Sequence, residues 1–177
     1  VEIKSKEDKS IYGVNTGFGS LAQTRIKTEK LKSLQKNLIR SHACGIGEIL
    51  PNEIVRGTMC ILSASLARGY SGVTPDTVLQ INTMLNKNCI PIVPSRGSVG
   101  ASGDLAPLAH IAQALIGEGY CLFNNKKIDS LKALEMCDLK PLELTPKSGL
   151  ALLNGTHLMT SLLSIAIIDM KNLIKSA

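Results

Sequence analysis

The segment Gly100-Ala101-Ser102-Gly103-Asp104 is where residue types and spacing first suggest chemistry. Small side chains let a backbone fold tightly on itself. Three familiar uses of such a loop fail on the residues present. A nucleophile elbow needs Gly-x-Ser-x-Gly, and position 104 is Asp. A phosphate loop needs Gly-Lys followed by Ser or Thr, and no Lys follows. A dinucleotide fingerprint needs three spaced glycines after a strand. The nearest candidate, Gly45-Ile46-Gly47, has Leu50 in the last glycine's place and no predicted strand before it. Backbone cyclisation remains. The amide nitrogen of Gly103 can attack the carbonyl carbon of Ala101 and close a five-membered ring. Loss of one water from that adduct, and of a second from Ser102, leaves an exocyclic methylidene, a strong electrophile. A helix expected to begin at Asp104 would set its partly positive end beside the ring, where negative charge develops. Asp104 is placed to orient or deprotonate during closure. The alternative reading is a plain Gly/Ser turn capping a helix.

Other segments must hold this loop in place. Leu105, Leu108, Ile111, Ala112 and Leu115 carry the helical spacing that follows it, ending at Gly117-Glu118-Gly119. Before it, Pro91-Ile92-Val93-Pro94 excludes helix. The first ten residues are charged and expected to be loose. Tyr12-Gly13-Val14-Asn15-Thr16-Gly17-Phe18-Gly19 is too glycine-rich for a helix and reads as a loop open to close approach. Thr28 is expected to cap a helix carrying Leu31, Leu34 and Leu38, which runs to about Ala43. A second helix is expected from Pro51 to near Gly69. Thr74-Pro75-Asp76 combines a capping hydroxyl, Pro in the first turn and an acid suited to the helix dipole. Val78, Ile81 and Leu85 would line that helix. A hairpin near Asn124-Asn125 and a short helix around Leu131 to Met136 follow. Residues 148–176 read as one long helix, apolar on nearly all sides from Leu158 to Ile168, suited to the interior of a bundle or oligomer. Its bare surface suggests a chain that is part of something longer.

Composition narrows the class. The 177 residues are 44% hydrophobic but only 3% aromatic, with no Trp, so the core must be aliphatic and mainly helical. The net charge of +6 is scattered, with little aromatic interleaving for base stacking, and reads as a solvated surface rather than a nucleic-acid site. The five cysteines form no CxxC pair, so neither a disulfide framework nor a metal site is expected, and most should be reduced and buried. No signal peptide is recognisable, and the longest apolar run falls short of a membrane span of about 20 residues. A cytoplasmic protein without a membrane partner is expected.

Residues Gly97-Ser98-Val99-Gly100-Ala101-Ser102-Gly103-Asp104-Leu105-Ala106-Pro107-Leu108-Ala109-His110 resemble the signature of the aromatic amino-acid ammonia-lyases. In that family Ala-Ser-Gly becomes the 4-methylidene-imidazol-5-one group, MIO. Tyr12-Gly13-Val14-Asn15-Thr16-Gly17-Phe18-Gly19 is similar to the family's substrate loop, whose Tyr acts in proton abstraction. Leu152-Leu153-Asn154-Gly155-Thr156 is similar to its third motif, whose Asn holds MIO and substrate. The three stand in family order.

The resemblance implies catalytic roles for Tyr12, Ala101, Ser102, Gly103 and Asn154, with Asp104 supporting MIO formation and no metal. The family's specificity pair falls on Ser41-His42. Ser-His marks members acting on histidine, where Phe-Leu marks phenylalanine and His-Leu tyrosine. His42 can hydrogen-bond an imidazole, whereas a phenyl ring would leave it desolvated and unpaired. Without the motif, His42 would be a helix-end His stabilising carbonyls. Histidine-acting members carry Gln after Asn-Gly-Thr, and here His157 stands there.

The implied reaction is non-oxidative elimination of ammonia from L-histidine to trans-urocanate, in histidine degradation. The substrate engages MIO through its amine or its imidazole. The implied fold is a mainly α N-terminal MIO-loop domain, residues 1–147, followed by the start of a central helical bundle, residues 148–177. The implied assembly is a homotetramer. The family's later Tyr, Arg, Phe and Glu site residues would lie past Ala177, so the chain is expected to be inactive alone, with MIO formation dependent on the intact enzyme. The competing readings are a tyrosine or phenylalanine lyase or aminomutase, and a non-catalytic helical module that binds a partner through its last helix.

Overall fold

A computed structural model of the chain describes residues 1–7, 9–103 and 105–177. Asp104, expected to aid ring closure, lies outside the described residues. The opening residues are not loose throughout, because Glu2–Ser5 form a single helical turn, α1, with Ser5 buried. Thr28 opens a 3-10 turn, Thr28–Lys30, that runs into α2 (Leu31–His42), but no side chain caps either start. Its buried face, Leu31, Gln35, Leu38 and Ile39, follows the expected spacing. The short strand β1 (Ile46–Ile49) follows, then α3 (Asn52–Ala67) and α4 (Pro75–Asn86). In α4, Pro75 takes the first turn as expected, but Thr74 makes no cap to the backbone, and its hydroxyl lies 3.4 Å from that of Thr77.

The proline-rich stretch resolves into β2 (Ile90–Pro91) and β3 (Pro94–Arg96). β3 pairs antiparallel with β1, Ile46 opposite Arg96 and Ile49 opposite Pro94. β2 joins a three-stranded sheet with β4 (Tyr120–Phe123) and β5 (Lys126–Asp129). The expected hairpin is the β4–β5 connection, where Asn124 and Asn125 have φ of 50° and 60°, values Asn tolerates in tight turns.

The helix after the small-residue loop is α5 (Leu105–Leu115), and it forms the centre of the core. Leu108, Ile111 and Leu115 are almost wholly buried, against α2, the short helix α6 (Ser130–Met136) and β2. Met59 and Leu62 of α3 and Ile81 and Met84 of α4 complete the aliphatic interior. Cys89, Cys121 and Cys137 are buried in it as free thiols, whereas Cys44 and Cys60 are exposed.

The expectation of one helix over residues 148–176 is corrected. The chain forms α7 (Ser148–Leu153) and α8 (His157–Ser176), separated by Asn154-Gly155-Thr156. Asn154 takes an extended conformation (φ −95°, ψ 105°), which ends α7. α7 lies on α2 and α5, and α8 crosses α3. Gly57 makes that crossing close, since any side chain there would meet Ser161, whose hydroxyl donates to the Ile54 carbonyl at 2.8 Å. Beyond this contact α8 stands clear, and Leu163, Ile168, Leu173 and Ile174 are exposed.

Candidate active site

The sequence motifs meet on one side of the body through a chain of specific contacts. Ala101, Ser102 and Gly103 form an exposed turn directly before α5. Gly100 enters it with φ 65°, and a side chain at that position would touch the Met159 sulfur of α8. The loop therefore adjoins the first turn of α8, just past Asn154. Space for a Cβ at Gly103 is open, and its carbonyl accepts the Leu105 N–H at 2.9 Å. The residues present fit an internal ring group: Ala, Ser and Gly supply its atoms, and the first turn of α5 faces it with a partial positive charge.

Asn154 sits exposed at the end of α7. α7 is held by a residue not singled out from sequence, Gln35 of α2. Its fully buried Oε1 accepts the N–H groups of Gly149 at 2.9 Å and Leu150 at 3.4 Å. Helix starts leave such donors unpaired, and here a distant helix supplies the cap that the sequence around Lys147 does not.

Tyr12 lies in the glycine loop, 53% exposed, its ring edge-on to Phe18 at 6.1 Å. Asn15 holds this loop together from inside. Fully buried, it accepts the Ile11 N–H at 2.7 Å and donates to the Lys9 carbonyl at 3.0 Å. The loop docks on α7, because a side chain at Gly13 would run into Leu150. Tyr12 and Asn154 thus share one support.

Ser41 and His42 end α2. The Ser41 hydroxyl donates to the Leu38 carbonyl at 3.0 Å, and His42 Nδ1 lies 2.9 Å from the same oxygen. A carbonyl only accepts, so Nδ1 carries the hydrogen and Nε2 is left for another partner. His42 therefore does stabilise a helix-end carbonyl, and that contact orients the rest of its ring. The α2 end is also tied outward. Arg40 makes a two-pronged bond to Glu118 at 2.8 and 2.9 Å, and Lys36 reaches the same carboxylate at 3.0 Å. The Arg40 hydrogen bond is the main reason the Glu118 carboxyl ionises below its ordinary range.

His157 opens α8, and its imidazole folds back over Gly155, where no side chain would fit. Its Nδ1 is buried with no hydrogen-bond partner among the described residues, and burial lowers its pKa.

Several known proteins are similar to this chain. It is 50% identical to a probable histidine ammonia-lyase of Thermoplasma acidophilum over 169 residues, 96% of this chain and 34% of the relative. Among solved structures, the phenylalanine aminomutase of Pantoea agglomerans superposes with a TM-score of 0.92 at 32% identity, covering 99% of this chain and 34% of that one. The histidine ammonia-lyase of Trypanosoma cruzi gives 0.82 at 36% identity, covering 90% and 31%. The expected mainly α fold is thus that of the lyase and aminomutase structures. The chain spans about a third of the length of the curated relatives it matches. The profile described as aromatic amino acid lyase matches residues 1–177 from end to end, and the chain belongs to that family.

Proposed function

We propose that the chain is the N-terminal third of a histidine ammonia-lyase, working as a homotetramer and eliminating ammonia from L-histidine to give trans-urocanate. The observation that carries this reading is the placement of the Ser41-His42 pair. The ring is pinned through Nδ1 to Leu38, and the chain just past it lies against the base of the 101–103 turn. MIO, when formed from Ala101, Ser102 and Gly103, supplies the electrophile that activates a substrate whose β-proton is otherwise not acidic.

The chain's own residues do the rest. His42 Nε2, free of the helix, accepts a hydrogen bond from the substrate imidazole when neutral, which sets the substrate's ring. Tyr12, exposed on its docked loop, is the base that takes the β-proton. Asn154 orients substrate beside the turn with its amide. The first turn of α5 stabilises negative charge as it develops.

The test is an assay of the full-length parent on L-histidine, L-phenylalanine and L-tyrosine. Urocanate formation with a clear preference for histidine is expected. Preference for either other amino acid, or a β-amino acid product, overturns the substrate assignment.

A further inference from the structure

His110 belongs to the signature helix but touches none of the reacting groups. Its Nε2 accepts the Gly45 N–H at 3.1 Å, across 65 residues of sequence. Nδ1 therefore carries the hydrogen in the neutral ring. Burial lowers the pKa of this imidazole, which keeps Nε2 an acceptor at neutral pH.

Gly45 is the point where three site segments meet. It follows His42 by three residues at the exit of α2. A Cβ on it would lie 3.1 Å from His110 Nε2 and 3.2 Å from the Arg96 carbonyl oxygen. On its other side is Gly97, which opens the loop leading to Ala101. A Cβ on Gly97 would lie 3.2 Å from the Gly45 Cα and 3.1 Å from the Ala106 Cβ. Ala106 and His110 stand four residues apart, on one face of α5. One helix face thus packs against the base of the electrophile loop and, a turn later, grips the segment that carries the recognition histidine.

We propose that His110 is a positioning residue, whose bond to Gly45 sets the distance between the His42 imidazole and the Ala101-Ser102-Gly103 turn. This rests on the reading of the chain as part of a histidine ammonia-lyase. Without the bond, α2 and α5 still pack, but the 43–45 segment is no longer registered against the loop. Substrate can then no longer meet His42 and the electrophile loop together, so its binding weakens, and misplacement on the order of 1 Å lowers the rate as well.

The experiment compares H110Q and H110M in the full-length protein. Gln can offer an oxygen near the place of Nε2, and Met fills similar volume without an acceptor at that point. Each is assayed per mole of folded, MIO-bearing subunit, with MIO counted from the mass loss of its peptide. The expected result is a KM for L-histidine raised about tenfold in H110M and within about threefold of wild type in H110Q. A purely structural role would lower the folded fraction and leave KM alone. An unchanged KM in H110M, or an equal rise in both variants, overturns the proposal. Should H110M not fold, nitrogen NMR of histidine-labelled wild-type protein decides. The Nδ1–H tautomer at His110 is expected, and an Nε2–H tautomer overturns the proposal. If wild type prefers another aromatic amino acid, the substrate reading fails separately, and the same KM comparison is made on that substrate.

Discussion

At the scale of single residues, the site separates groups that meet the substrate from groups that hold them. His42 is both, because one ring nitrogen is used on Leu38 and the other is left over. His42→Leu removes both functions, and only an imidazole substrate is left with an unpaired polar edge. A lost hydrogen bond of this kind costs roughly 1–3 kcal/mol, so kcat/KM for L-histidine should fall about 5- to 150-fold in the full-length enzyme. The value for L-phenylalanine should fall less or rise. Steady-state kinetics on both substrates check this, and an equal loss on the two would show that His42 acts only through the helix end. The residues that could react were legible in the sequence, since few chemistries use Ala-Ser-Gly between glycines and a helix start. The holders were not. Asn15, Gln35 and His110 look like ordinary polar residues in their own segments. The roles of Gln35 and His110 depend on backbone groups of other segments, 114 residues away for the Gln35 bond to Gly149, and that of Asn15 on the turn its own loop makes around it.

At the scale of elements, α7 is the least self-sufficient part of the site. It has six residues, starts after Lys147 in a left-handed conformation, and takes its cap from Gln35. Gln35→Leu leaves the buried Gly149 N–H without an acceptor, which should cost about 1–3 kcal/mol. The melting temperature should drop, and because α7 supports both Asn154 and the Tyr12 loop, turnover per folded subunit should drop with it. Thermal unfolding and kinetics on the same preparation check both, and loss of stability with full turnover would separate α7 from the site. Elements whose signals are local were legible in advance: the Pro75 start of α4, the spacing of α2, the Asn-Asn turn of the hairpin. The β1–β3 pair was not, because each strand has only a few residues without alternation and exists through its partner. The break between α7 and α8 was hidden for another reason. Residues 148–176 carry helical spacing throughout, and a lone glycine does not end a helix by itself.

At the scale of the whole molecule, a packed aliphatic body carries its candidate site on an open side, with Tyr12, Ser41, Ser102 and Asn154 all exposed. Two half-buried histidines carry a pH signature: His110, which links α5 to Gly45, and His157 at the start of α8, and burial lowers the pKa of each. The unfolded chain, with histidines near their ordinary value of about 6.5, therefore binds protons first as pH falls. Stability from these two groups is complete above about pH 6.5 and is lost as pH drops below it, towards the folded-state pKa values. The melting temperature should decline between about pH 7 and pH 5, and the H110Q/H157Q double variant should flatten that decline. Glu118, held ionised chiefly by Arg40, fails only at more acidic pH and does not imitate this loss. A melting temperature that holds steady or rises over the interval would contradict the assignment.

Whether the 101–103 turn becomes an electrophile is read from the mass of the tryptic peptide from Gly97 to Lys126 of the full-length protein. A peptide two waters lighter than its sequence is expected, and in Ser102→Ala a peptide at the plain mass of the variant sequence. An unmodified mass in the intact wild-type protein would contradict ring closure.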